Sequence, residues 1–216
     1  MLKMFSSTER LKNKTLKHLE MYSRPNLDFF LLTAFASAII SFGLILDNSS
    51  IIIGGMVVAP LITPFFGLSI SLILLRIKET FETIGSIILG IFIAVAISFI
   101  IGYITNLAFI GTFDNTTEIF SRTKPDVLYF IVAVLSGLIG SYAYVRPTLS
   151  ERIVGIAISA AIVPPLAVVG LSLAKMDMKM ITSSSILFLM NFLGICLGSI
   201  LMFIILGFGK EKESKL

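Results

Sequence analysis

Six stretches of this 216-residue chain contain no Asp, Glu, Lys or Arg, and they limit the fold more than any other feature. They run over 29–46, 48–75, 83–111, 127–145, 153–174 and 180–209. A hydrocarbon core of ~30 Å needs about 20 apolar residues in a helix, so each stretch is long enough to be read as a span. Strands of a membrane barrel would be ~10 residues long with alternating polarity, and these runs are longer and do not alternate. Composition supports the same reading. Hydrophobic residues make up 56% of the chain and charged residues 14%, whereas a soluble domain carries about 25% charged residues. A water-soluble domain of this size could not bury so much apolar surface. A soluble enzyme, a disordered chain and a disulfide scaffold are therefore excluded. The expectation is an all-α, polytopic membrane protein with six transmembrane segments near 29–46, 51–75, 84–108, 127–145, 153–174 and 184–208.

The charges outside the spans predict an orientation. Cytoplasmic loops retain Lys and Arg. With six spans, residues 1–28, the 76–82 and 146–152 loops and the tail carry 13 basic residues, against 4 in the 47–50, 109–126 and 175–182 connections. This predicts a multi-pass protein of the cell membrane with both termini cytoplasmic. A basic segment at 1–28 precedes a membrane domain at 29–208, and a tail follows at 209–216. The domain divides into halves 29–108 and 127–208, joined by 109–126, and three spans in each half make the halves antiparallel. If the second and fifth segments were re-entrant hairpins, the count would be 11 inside against 6 outside, a weaker bias of the same sign. The polar, basic start does not resemble a cleavable signal, and the first apolar run is long enough to stay as an anchor. Residues 6–22 read as a short helix, with Ser6 and Glu9 spaced as a capping box.

Two segments carry internal prolines. Pro60 and Pro64 interrupt the second, and Pro164 and Pro165 the fifth. Proline removes a backbone donor and clashes with the preceding turn, costing about 3 kcal/mol in a helix interior. It also pushes the residue before it away from helical angles. A break is expected in each segment, with Thr63 placed to cap a half-helix beginning at Pro64. Both expected breaks fall near mid-span, where freed backbone groups must be buried in protein or line a wet cavity. Weak internal symmetry accompanies them. Val58-Ala-Pro-Leu61 resembles Val163-Pro-Pro-Leu166, and Gly67-Leu-Ser69 matches Gly170-Leu-Ser172. Paired interrupted segments in oppositely oriented halves point to a transporter site at the repeat interface.

Ile53-Gly-Gly-Met-Val-Val-Ala-Pro-Leu61 and Val154-Gly-Ile-Ala-Ile-Ser-Ala-Ala-Ile-Val-Pro-Pro-Leu166 resemble the uncharacterised hydrophobic membrane proteins grouped as domain of unknown function three-eight-nine. Asp47 after Gly43-Leu44 fits that family's first connection, and Asn191 in LFLMNFLGI fits its last span. The resemblance covers roughly 29–205 and implies a shared membrane core. It supplies no substrate. Many members carry an additional soluble domain; the flanks here are short and basic, so no function of that domain is expected.

The chemistry open to the spans follows from what they lack. A charged residue at a helix centre would cost about 2.5–3.5 kcal/mol and would mark a pathway. None is present in the predicted hydrocarbon region, which argues against a proton relay and an intramembrane protease. No catalytic residue, cofactor or metal site is expected, and no nucleic-acid partner. Neutral polarity remains: Thr63, Ser69, Ser159, Ser172, Asn191 and the backbone groups freed at the prolines. The expected function is a channel or secondary transporter for a small ion or polar solute, its path at the midplane between two proline-broken helices. Candidate pathway residues are Gly54, Gly55, Pro60, Thr63, Pro64, Gly67, Ser159, Pro164, Pro165 and Asn191. The alternative is a structural or sensory membrane module without flux. Partners are the lipid bilayer, the solute and further copies of the chain in a homo-oligomer. Gly194 and Gly198, and Gly137 with Ser141, form small-residue pairs suited to close helix contacts within or between protomers.

Overall fold

The computed structural model describes residues 12, 13, 15, 16, 26–60, 62–108, 116–146 and 151–209, with backbone alone at 62 and 151–160. Among these residues all regular structure is helical; beyond the helical residues 12, 13, 15 and 16 it forms eight helices: α1 (Leu27–Ile45), α2 (Ser49–Val58), α3 (Ile62–Ile73), α4 (Ile77–Ala108), α5 (Thr117–Ser121), α6 (Val127–Val145), α7 (Glu151–Lys175) and α8 (Met178–Ile205). Local chemistry fixes their ends. Side-chain oxygens of Asn26, Asn48, Thr116, Asp126 and Asp177 accept backbone N–H bonds in the first turns of α1, α2, α5, α6 and α8, replacing partners that the helix cannot supply there. At the other ends of α1, α3 and α7, Asp47, Leu75 and Met176 take positive φ of 51°, 53° and 57°. The next N–H then reaches back to Gly43, Ser71 and Ser172 at 2.9, 3.0 and 3.0 Å. These left-handed terminations stop each helix sharply.

α1, α4, α6 and α8 are each long and apolar enough to cross a bilayer, and α2 with α3 would add a fifth crossing if the bent pair is one span. The span boundaries expected from hydropathy lie within three residues of these helices except at the starts of α4 and α8, which begin seven and six residues earlier than expected, and 127–145 coincides with α6. α7 is the hub, packing on α1, α2, α3, α4, α6 and α8. Glycine brings backbones together at two crossings. A Cβ at Gly137 would lie 2.3 Å from the Ile195 carbonyl oxygen, and one at Gly198 would lie 2.1 Å from that of Val134, so α6 and α8 touch main chain to main chain. A Cβ at Gly170 on α7 would lie 2.5 Å from the Val95 carbonyl oxygen of α4. The small-residue pairs read from the sequence thus make contacts within the chain. Aromatic edges dock α3: Phe66 meets Tyr144 and Phe203 at centroid distances of 5.2 and 5.8 Å, and Phe65 meets Phe192 at 5.2 Å.

The connections gather at two ends. At one, Thr116 Oγ1 donates to the Leu44 carbonyl, the Glu118 N–H donates to Asp47, and Ser184 Oγ donates to the Arg122 carbonyl. At the other, Lys12 Nζ donates to the Gly207 carbonyl at 2.8 Å, and Gly209 lies against Ile73. The expected helix over 6–22 lies mostly outside the described residues; its Thr15 and Leu16 are helical and buried in the protein.

The two proline-bearing segments differ. The second is broken as expected, but α3 begins at Ile62, so the expected cap is corrected: Thr63 lies inside the first turn of α3. Ala59 is extended (φ −67°, ψ 123°) ahead of Pro60, and the flanking helices bend by 53°. Pro64 falls in the first turn of α3, where its missing donor costs nothing. The expected break in the fifth segment is corrected: α7 runs unbroken through Pro164 and Pro165. The physical reason is a repair supplied from another helix.

Candidate functional site

Pro165 has no N–H for the carbonyl of Ala161, four residues back, and its ring displaces that carbonyl from the helix axis. Asn191, projecting from α8 and 4% exposed, donates its Nδ2 to the Ala161 oxygen at 2.8 Å. The side-chain amide stands where the backbone donor would have been. Buried polar groups carry a penalty unless bonded, so this bond offsets the donor lost at Pro165, while Pro164 removes a second donor, the one that would reach the Ala160 carbonyl. Pro165 is about 21 Å along α7 from its first residue and ~15 Å from its last, well inside the bundle.

Beside this bond lies a cavity of about 240 Å³. Ala161, Pro165 and Asn191 form its inner wall, Ser136 and Tyr129 of α6 one side, and Ser121 and Arg122 the end toward α5. Val132, Ala133 and Leu187 supply its apolar lining. The geometry of α5 places Arg122. Thr116 caps the helix, and Arg122 closes it with its own N–H to Ile119 and Phe120. Glu118 and Arg122, one turn apart, form an ion pair. Ser49 Oγ, at the start of α2, also donates to Glu118 Oε1. That hydrogen bond, and then Arg122, hold the Glu118 carboxyl below its ordinary value, against the opposing effect of burial. The Glu118 N–H donates to Asp47 Oδ1 at 2.8 Å. The short helix is thereby latched to the α1–α2 turn on one side and, through the Arg122 carbonyl and Ser184, to α8 on the other.

Of the candidate residues, Pro165 and Asn191 meet at the cavity. Pro164 is buried in α7, and Ser159 lies on the part of α7 described by backbone alone. Segment two is a neighbour, since α2 and α3 both pack on α7, yet its residues do not line this cavity. Gly55 is buried against α1, where a Cβ would lie 3.0 Å from the Ala36 carbonyl oxygen; Gly54 faces open space. Pro60 and Thr63 are half-buried at the bend, and Pro64 and Gly67 are buried in α3. A polar stripe on α1 satisfies itself: Thr33, Ser37 and Ser41 donate to carbonyls one turn back, and Ser41 meets Ser98 of α4 at 2.9 Å.

Sequence reasoning missed Arg122, Glu118 and the cavity wall on α6. A signal existed. Thr116 followed by Glu118 and by Arg122 one turn later is a capped helical turn with an internal ion pair, set inside what reads as a polar connection. It also missed Asn106, whose Nδ2 donates to the Ala174 carbonyl at 3.3 Å and whose buried Oδ1 has no partner among the described residues.

Comparison with known proteins gives a family. Residues 56–197 match the model of a domain of unknown function, DUF389. An uncharacterised protein of Methanocaldococcus jannaschii is 32% identical over 161 residues, covering 74% of this chain and 48% of that protein. The chain thus spans about half the length of the curated relative it matches. No solved structure matches it.

Proposed function

This chain belongs to the family of the domain of unknown function DUF389, and from its geometry we propose that it is a channel or secondary transporter for a small ion or polar solute. The observation that carries the reading is the Ala161–Asn191 bond at the wall of the cavity. It concentrates neutral polarity deep inside an apolar bundle, and irregular backbone chemistry at membrane depth is tolerated where it lines a cavity or is buried in protein. The pathway enters beside α5 and reaches Pro165 and Asn191. Segment two is the mobile counterpart: α2 and α3 both pack on α7, and the bend between them at Ala59–Pro60 supplies a hinge.

The same reading makes six crossings, with α2–α3 and α7 as the second and fifth, two antiparallel halves and both termini cytoplasmic. The placement of Asp47 near α5 and of Ile73 near Gly209, at opposite ends, supports a full traverse by the bent pair. The surfaces of α1, α4, α6 and α8 expose Phe35, Phe42, Phe92, Leu135 and Leu193, which suits contact with lipid and with further copies of the chain.

A second reading, a structural or sensory module without flux, is favoured by one feature. Around Pro64 the packing is tight and aromatic, with Phe65 and Phe66 1% and 0% exposed. Reconstitution of the purified chain in liposomes separates the two. With solute gradients of either sign, flux of at least one small ion or polar solute is expected, and Asn191→Leu should lower it. Absence of flux for anions, cations and neutral solutes alike would remove the transport reading.

A further inference from the structure

We propose that the cavity beside α5 binds a small carboxylate, held by the outer edge of the Arg122 guanidinium. The proposal rests on the transport reading for its purpose, but its chemistry stands on the side chains themselves. Arg122 is 19% exposed and lines the cavity. Among the described residues, every hydrogen bond of its guanidinium is made by Nη1, to the Glu118 carbonyl, Glu118 Oε2 and Ser121 Oγ. Nε and Nη2 make none. That edge presents two parallel N–H vectors, the geometry that matches the two oxygens of a carboxylate. Glu118 holds the other edge, so the fork is fixed in place before a ligand arrives.

The rest of the lining fits the same ligand. None of the residues lining the cavity is acidic. Hydroxyls of Tyr129 and Ser136 and the second N–H of the Asn191 amide offer donors, while Val132 and Leu187 offer a surface for a short hydrocarbon. A volume of about 240 Å³ compares with ~30 Å³ for a water in the liquid, so there is room for a short-chain acid. Glu118 cancels the net charge of Arg122, so a spherical halide gains little from the site. A planar oxyanion still gains both bonds. Selectivity therefore follows geometry rather than charge.

Equilibrium binding of radiolabelled butyrate to the full chain in nanodiscs tests this, with acetate, nitrate and chloride as competitors. Acetate and nitrate should displace butyrate, and chloride should need at least about tenfold higher concentration, since charged hydrogen bonds of this kind differ from their loss by about tenfold or more. Arg122→Lys keeps the charge and loses the fork, and should weaken butyrate by about tenfold or more. Tyr129→Phe, which leaves α5 intact, should weaken it severalfold. Chloride competing as well as acetate, or Arg122→Lys binding like the parent chain, would overturn the proposal. Liposome flux on the same preparations keeps the two readings apart. Flux of another solute without butyrate binding removes the carboxylate site and leaves transport. Butyrate binding without flux leaves the site and removes transport.

Discussion

Replacing Asn191 by Leu isolates the repair of α7. The substitution keeps the branched shape, with a somewhat larger volume beside the cavity, and removes the donor, leaving the Ala161 oxygen with neither its helical partner, lost to Pro165, nor the side chain 2.8 Å away. An orphaned buried acceptor costs about 1–3 kcal/mol. Side-chain bonds between membrane helices average lower, about 0.6 kcal/mol and at most ~1.7. The adjoining cavity, which both residues line, lets water reach the freed oxygen and favours the lower end, so about 1 kcal/mol is expected. The decisive measurement is a double-mutant cycle with Pro165→Ala. Alanine at 165 restores an N–H pointed at the Ala161 carbonyl, so Asn191→Leu should then cost less than about 0.5 kcal/mol. Reversible unfolding in mixed micelles reads all four corners. If Asn191→Leu costs the same with proline or alanine at 165, the bond is incidental to the continuity of α7.

The glycines give a contrast in the same unfolding assay. Gly198→Ala drives a Cβ to 2.1 Å from the Val134 carbonyl oxygen, whereas Gly54→Ala meets nothing within 4 Å. The first should lose about 1–3 kcal/mol or more, and the second should gain up to ~1 kcal/mol of helix propensity; equal effects would contradict the α6–α8 contact. The Glu118 latch should depend on pH. Its folded-state carboxyl lies below the ordinary value of 4.5, so its contribution is complete above that value and is lost as pH falls through the lowered one. A spin label at Thr117 should become mobile over that fall, and Glu118→Gln should already be mobile at neutral pH; an immobile label in the variant would count against the latch. Cys196, the chain's single cysteine, is 8% exposed, so a membrane-permeant maleimide should label it only on unfolding, and rapid labelling of the native protein would contradict the packing of α8.

Much of the fold was legible because hydrophobic length is a property of contiguous residues. The absence of charge over 127–145 marks α6 directly, and Pro60 with Ala59 marks the bend in segment two, where each effect acts on its nearest neighbours. The continuity of α7 was not legible. Pro164-Pro165 carries every local sign of a break, and what prevents it is an amide on another helix whose position depends on the α7–α8 packing. Asn191 itself was recognisable as intramembrane polarity, but its partner was not. Arg122 was hidden for a related reason: in sequence it is a boundary charge on a polar connection, and it becomes a cavity residue once Thr116, Glu118 and Ser184 fold α5 over the end of the bundle.

The glycine crossings bear on how this molecule could change shape. Where a carbonyl rests on a bare Cα, as at Gly137, Gly198 and Gly170, neither helix can slide without main chain striking main chain. α6 with α8, and α4 with α7, therefore behave as two stiff plates. The cavity lies in the seam between them, with Asn191 on one plate and Ala161 on the other. Its width is the gap between plates, and their hydrogen bond is a tie across that gap. Widening the seam means breaking the tie, and at that moment the helix through Pro164 and Pro165 loses the support that kept it whole.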